Sequence, residues 1–308
     1  MPDELNIPVV FFIFRRPEKT QEVFNAIRLA RPKVLFIIAD GPNAENNKDL
    51  DLSVRTREVV KEIDWPCDVR RLYSETNLGL RQRIMTGLDA VFAEVDSAII
   101  LEDDCLPNSS FFTYCSELLE EYKDNEAVGV ISGFNFSPFR DREADYYFSR
   151  SPSIWGWATW SNTWKKFRQS PQVESWSKSD FQSLKSTFPS RFQRSEFFWL
   201  MQIADTLNTW DVSFFVWFRQ SRLLATIPRA NLVRNIGFGS EATHTKFESF
   251  DLEVPLGRLD SPYKAPSKVE PNHRLERSLW MQRRLRWIIF PISHPIKFMG
   301  IVGRFLAR

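Results

Sequence analysis

Residues 98–104 read Ala-Ile-Ile-Leu-Glu-Asp-Asp, four apolar residues running straight into three acids. The apolar part is too short for a helix and does not alternate with polar residues. It therefore reads as a strand covered on both faces, which implies a sheet with helices on each side. Working outward, Val9–Phe14, Val34–Ala39 (VLFIIA) and Val128–Ser132 are runs of the same kind, and Val69–Tyr73 is a weaker one. Between them, apolar residues recur at helical spacing over Glu18–Ala30, Val54–Ile63, Leu80–Ala93 and Phe111–Tyr122. Short apolar strands alternating with helices predict an α/β fold with a mostly parallel sheet.

In such sheets ligands bind beyond the carboxyl ends of the strands, so Glu102, Asp103 and Asp104 stand where a ligand is expected. Carboxylate oxygens suit Mg²⁺ or Mn²⁺, ions that bridge one or two acids to substrate phosphates while keeping several waters. An acidic triplet also occurs as a solvated turn, and Asp104 could cap the helix that reaches Phe111. Capping does not require three acids, and the position at a buried strand end favours the metal.

Composition narrows the classes further. Hydrophobic residues make 43% of the 308-residue chain, which excludes wholesale disorder. Forty-one basic against 39 acidic residues is too balanced for a protein whose whole surface grips nucleic acid. Neither a Walker sequence nor GxGxxG occurs, and Gly is scarce at 11, which weakens the commonest phosphate-loop readings. Cys67, Cys105 and Cys115 form no CxxC pair, so neither a disulfide framework nor a structural zinc site is expected; a reducing cytoplasmic setting fits. Asp3 and Glu4 before the first apolar run, and Arg15 and Arg16 after it, reverse the charge order of a signal peptide. No apolar stretch reaches the ~20 residues of a membrane span.

Beyond residue 135 the pattern changes. Tyr146–Trp176 is dense in Trp and Ser without clean periodicity, a helical stretch covers Arg191–Asn208, and Trp210-Asp211 leads into the aromatic run Phe214–Phe218. A strand-like LLATIP and the loop NIGFGSEATHT follow, then a Pro-rich linker or wrapping arm over Asp251–Pro271. From His273 onward Arg274, Arg277, Arg283, Arg284, Arg286, Lys297, Arg304 and Arg308 face the single acid Glu276, interleaved with apolar groups. This tail suits peripheral attachment to an anionic membrane surface, or else is a helix packed on the domain with a solvated basic face.

The run AIILEDDCLPNSSFFTYCSELLEEY, preceded by ETNLGLRQRIMTGLDAVF and followed by GVISGFNF, resembles nucleotide-sugar glycosyltransferases of the GT-A fold. It is similar to the N-acetylglucosaminyltransferase I type and to bacterial family-2-like glycosyltransferases, with Glu-Asp-Asp as a version of their DxD motif. The likeness continues in order through IADG, IWGWATW, TWD and the IP…NIGFG…THT segment, spanning most of residues 7–247. It implies a Rossmann-like GT-A domain over 1–250, with a nucleotide-sugar half (1–135) and an acceptor and catalytic half (136–250), followed by the tail 251–308.

The resemblance also implies roles. Asp104 would ligate the metal directly, with Asp103 and Glu102 toward the ribose and the metal's water shell; Arg16 would lie near the nucleotide, Asp40 would bond the base, and Arg83 would face the nucleotide or diphosphate. Arg16 as a surface charge before Pro17, and Asp40 as the turn former of DGP, are the simpler readings. Transfer to a hydroxyl needs a base, and Asp211, alone among Trp210, Val212, Phe214 and Phe215, is the choice; a turn or N-cap Asp is the alternative, with Asp205 and Glu196 as fallbacks. His244 could reach the diphosphate or the metal when a loop hinged at Gly237 and Gly239 closes, or be a surface histidine. Trp157 would stack on the acceptor sugar unless it belongs to the core.

The expected activity is metal-dependent, inverting transfer of a hexosyl or N-acetylhexosaminyl group from a nucleoside diphosphate sugar to a hydroxyl. The acceptor would be a glycan or a lipid-linked glycan, in polysaccharide or glycolipid synthesis. The alternatives are a sugar nucleotidyltransferase, against which FRRPEKT lacks the expected Gly-rich loop, and a non-catalytic sugar- or lipid-binding module.

Overall fold

The computed structural model of the chain describes residues 4–43, 46–137, 143–170, 182, 184, 187, 188, 194, 210–237 and 254–281. In chain order the described elements are β1 (Val9–Ile13), α1 (Pro17–Ala30), β2 (Val34–Ala39), α2 (Asn47–Val59), β3 (Asp68–Tyr73), α3 (Leu80–Glu94), β4 (Ser97–Glu102), β5 (Cys105–Pro107) and α4 (Ser109–Glu121). There follow β6 (Val128–Ser132), β7 (Tyr146–Ser149), β8 (Trp157–Trp160), α5 (Ser161–Gln169), α6 (Asp211–Gln220), β9 (Leu224–Pro228), β10 (Val233–Asn235) and α7 (273–281).

Eight strands form one sheet in the order β3-β2-β1-β4-β8-β6-β9-β7, and β10 pairs with β5 alongside it. The run β3-β2-β1-β4 is wholly parallel, whereas β8 runs antiparallel to both β4 and β6, and β7 antiparallel to β9. This is the α/β, Rossmann-like fold expected, with the parallel order concentrated in the first half. Alternate strand residues enter two cores. Val9, Phe11 and Ile13 of β1 join Val23, Phe24 and Ile27 of α1 and Phe111, Cys115 and Leu118 of α4 on one face. On the other face Val10 and Phe12 meet Ile84, Leu88 and Val91 of α3, Trp164 of α5 and Phe214 and Phe218 of α6. Coverage of both faces is why β1 is apolar throughout.

Two helix starts are set by side chains. Asn46 accepts from the Lys48 N–H to begin α2, well before the expected Val54. Asn108 accepts from Phe111 N–H to begin α4, so capping there is done by Asn108 and not by Asp104.

The C-terminal segment lies against the domain. In the Pro-rich stretch Leu259 is buried, Gly257 N–H donates to the Asn231 carbonyl at 2.8 Å, and Lys264 N–H donates to Asp145 at 2.9 Å, so this stretch wraps the surface. Leu275 and Leu279 of α7 enter the second core. Glu276, the lone acid of the basic tail, accepts from the Arg150 N–H at 2.7 Å and from Ser149 Oγ, with Arg219 Nη1 3.9 Å away. Of the two readings of the tail, its first helical turns are thus packed; residues 282–308 lie outside the described residues. No helix among the described residues is long and apolar enough to cross a membrane.

Candidate active site

Because β1 pairs in parallel with both neighbours, with Ile13 opposite Ala39 and Phe12 opposite Glu102, the carboxyl ends of β2, β1 and β4 lie side by side. Asp40, the Phe14–Arg16 turn and the acidic triplet follow those ends directly. The chain adds β2 and β3 on one side of β1 and then crosses to place β4 on the other, so the β1/β4 boundary is the topological switch point. A cleft of about 320 Å³ opens over it, lined among others by Phe12, Phe14, Arg16, Asp40, Asn77, Leu80, Arg83, Glu102 and Asp103. Five of the expected donor-site residues therefore share one cavity.

The electrostatics are dominated by excess negative charge. Asp103 Oδ2 accepts from Phe14 N–H at 2.9 Å and Oδ1 from Arg16 Nη1 at 3.1 Å. The same Arg16 nitrogen lies 2.6 Å from Asp104 Oδ2. Burial works against the Arg16 charge, but Asp103 and Asp104 outweigh it and hold the guanidinium protonated above its ordinary value. Burial, then Asp104 and Asp103, push Glu102 up to about 8, with Arg16 opposing and Asp211 adding. Burial likewise pushes Asp103 up to about 7 despite Arg16. Among the described residues one guanidinium, Arg16, serves both Asp103 and Asp104 while Glu102 has no ion pair, a deficit of positive charge.

That deficit fits a hard divalent cation. Among the described residues no three His, Cys, Asp or Glu side chains converge to hold a metal by themselves. A cation held by one or two carboxylates, and completed by phosphate oxygens and water, is the mode Mg²⁺ and Mn²⁺ commonly use. The residues available are Asp104, Asp103 and Glu102. Asp104 is not on the cleft lining; its Oδ2 is wedged between Arg16 and Gly237, where an added Cβ would fall 2.0 Å from that oxygen. Gly237 is thus required by close approach to the acid, in a segment held by the β10–β5 pairing and by Ile236 N–H donating to the Asp104 carbonyl at 2.7 Å.

The remaining expectations fall as follows. Asp40 is buried, and its carboxylate accepts from the N–H groups of Gly41 and Leu78 (Oδ1, both 2.9 Å) and Gly79 (Oδ2, 3.0 Å). It is first of all the clamp between the end of β2 and the start of α3. Arg83 lines the cleft and donates to the Leu72 carbonyl; burial, partly offset by Asp40, lowers its pKa, and its Nε is buried without a hydrogen-bond partner. Asp211 opens α6, its Oδ1 accepting from Val212 N–H at 2.9 Å, and its charge reaches Glu102. The fold therefore brings Asp211 within electrostatic range of Glu102.

Trp157 corrects the sequence reading. It is 1% exposed, stacked on Trp210 with ring centroids 5.9 Å apart and packed on Phe214 at 5.6 Å. Its ring cannot meet an acceptor and instead supports the Trp210-Asp211 start of α6 from within the core. His244, Gly239, Asp205, Glu196 and nearly all of the expected helix 191–208 lie outside the described residues. Asn77, whose Nδ2 donates to the Gly41 carbonyl at 2.8 Å, and Gly79, at a backbone φ of 79°, complete the cleft wall. Only the NLG turn before α3 hinted at them.

No protein-family model and no curated protein sequence matches this chain. Solved structures similar to it in part include the following two. The mannosyltransferase PcManGT from Pyrobaculum calidifontis, in complex with GDP-Man and Mn²⁺, is 10% identical over 60% of this chain and 52% of its own, with a TM-score of 0.35. The chain thus spans about half the length of that enzyme. A UDP-glucose pyrophosphorylase complexed with UDP-glucose is 11% identical over 55% of this chain and 82% of its own, with a TM-score of 0.32.

Proposed function

We propose that this chain is a metal-dependent, inverting glycosyltransferase that takes a hexosyl or N-acetylhexosaminyl group from a nucleoside diphosphate sugar. The observation carrying this reading is the acidic triplet at the switch point, of which Glu102 and Asp103 line a cleft with Arg16 and Arg83, Asp104 is paired with Arg16, and Glu102 lies within electrostatic reach of Asp211. A divalent cation held there would supply charge neutralisation for the departing diphosphate. Arg83 would bind and orient the anionic donor. Asp211, at the start of a helix anchored by Trp157 and Trp210, would take the proton from the attacking hydroxyl. A single displacement of this kind inverts the anomeric carbon. Arg274 and Arg277, exposed on α7, support an acceptor carried at an anionic membrane surface.

Titration calorimetry with UDP- and GDP-sugars, with and without Mn²⁺, tests the donor site. Binding that needs the cation is expected, and tight metal-independent binding would contradict the role given to the triplet. Asp211→Asn should leave donor affinity nearly intact and lower transfer by ~10²–10⁴-fold. Undiminished transfer would remove Asp211 from the mechanism.

A further inference from the structure

The turn from β1 into α1 brings two donors to Asp103: Phe14 N–H to Oδ2 at 2.9 Å and Arg16 Nη1 to Oδ1 at 3.1 Å. Both ends of this turn are fixed. β1 is paired on each side, and Pro17 at the start of α1 has its φ locked by its ring and keeps Arg16 extended, at φ −133°. The change of direction therefore falls on Arg15, a non-glycine residue in the left-handed region at φ 40°. That conformation is unfavourable for any residue with a Cβ and open to glycine.

Arg15 is held there from outside the turn. Its Nη1 lies 2.8 Å from Oδ1 of Asp49 on α2, and its guanidinium carbon sits 5.4 Å from the centre of the Phe14 ring. Asp49 is buried, and the same oxygen accepts from Asn46 Nδ2 at 3.1 Å, so the acid is anchored by the cap residue of its own helix. The far end of α2 is pinned as well, by Arg57 Nη2 donating to the Asp40 and Ser74 carbonyls at 3.1 and 2.8 Å. We propose that Asp49 is a positioning residue of the donor cleft: through Arg15 it holds the strained turn in the conformation that presents Phe14 N–H and Arg16 to Asp103. This inference rests on the donor site proposed above, whose cleft Asp103 lines.

Arg15 and Asp49 are themselves absent from the cleft lining, so they act through the turn alone. Without the ion pair, a residue with a Cβ at position 15 gains by returning to negative φ. That rotation carries Phe14 N–H and Arg16 off the two oxygens of Asp103, and a carboxylate deprived of its donors loses its orientation. The simpler role for Asp49, an acid favoured in the first turn of a helix, concerns α2 only and gives residue 15 no such dependence on a Cβ.

The test compares alanine with glycine at position 15 in the full chain, by calorimetry of UDP and GDP binding with MnCl₂ at a temperature where every variant is folded. Arg15→Ala and Asp49→Ala should each weaken nucleotide binding about tenfold. Arg15→Gly loses the same ion pair but is at ease at the observed φ, so it should stay within about threefold of the wild type, and it should restore binding when added to Asp49→Ala. Equal losses in Arg15→Ala and Arg15→Gly, or wild-type affinity in Arg15→Ala, overturn the inference and leave the donor site standing. These two variants decide the matter if Asp49→Ala does not fold. Amide hydrogen exchange at Phe14, read without nucleotide or metal, should be faster in Arg15→Ala than in the wild type and Arg15→Gly. Identical rates in all three overturn the inference independently. A wild-type chain that binds neither nucleotide refutes the donor site, and with it the part of the inference that concerns the cleft.

Discussion

Replacing Asp40 by Asn separates a loop clamp from a base-recognition residue. Asp40 is 7% exposed and its carboxylate spends both oxygens on backbone: Oδ1 on Gly41 and Leu78, Oδ2 on Gly79. An Asn keeps one oxygen for the first two donors but turns an amide N–H₂ toward the Gly79 N–H. One charge-assisted hydrogen bond is lost outright and two are weakened, a cost of about 1.5–3 kcal/mol. The loops cannot simply relax together, since a Cβ on Gly41 would already sit 2.4 Å from the Thr76 backbone. Because Gly79 is also the cap of α3, whose first turn carries Arg83, the cleft wall should loosen with it. Urea unfolding should show a lower midpoint at unchanged slope, the mark of lost stability without a change in exposed surface. Nucleotide affinity should fall only modestly. A variant with the wild-type midpoint but a tenfold or greater loss of nucleotide affinity would refute the reasoning and return Asp40 to the base-binding role.

Two further outcomes are expected. Gly237→Ala forces the Asp104 carboxylate aside, because the added carbon would lie 2.0 Å from Oδ2, so Mn²⁺-dependent donor affinity measured by calorimetry should drop at least tenfold, with a melting shift of only a few degrees. Since Glu102 and Asp103 titrate near 8 and 7 in the fold and near 4 in the unfolded chain, the folded protein holds more protons between those limits; in the presence of chelator stability should therefore fall as pH rises from about 5 to about 8, and thermal unfolding of Glu102→Gln should lose part of that slope.

Legibility in the sequence followed how each segment is buried. Strands β1, β2 and β4 could be read because both of their faces are covered and their residues, apart from Ser97 and Glu102 at the ends of β4, are apolar. β8 could not: Thr159 sits in its middle, fully buried, with its hydroxyl donating to the Gly129 carbonyl at 2.7 Å. β7 hides its polar end in the same way, since Ser149 is satisfied by Glu276 from the far end of the chain. Such partners have no local trace. Helix α6 read only as an aromatic run because Phe214, Val216, Trp217 and Phe218 are buried around most of its circumference, leaving little amphipathic period.

By itself the sequence determined the α/β order, the place of the acids at a strand end and the existence of an isolated Asp after Trp210, because these depend on local composition and on the rule that strand ends carry ligands. Only tertiary structure decided which charges meet. Arg16 reaches Asp103 and Asp104, Gly237 touches Asp104, and Asp211 comes within the field of Glu102, all across long stretches of chain. It also put Trp157 in the core and turned Asp40 into a clamp. Pairing of charges and burial of aromatic rings are set by packing between distant segments, and no pattern within a single segment encodes them.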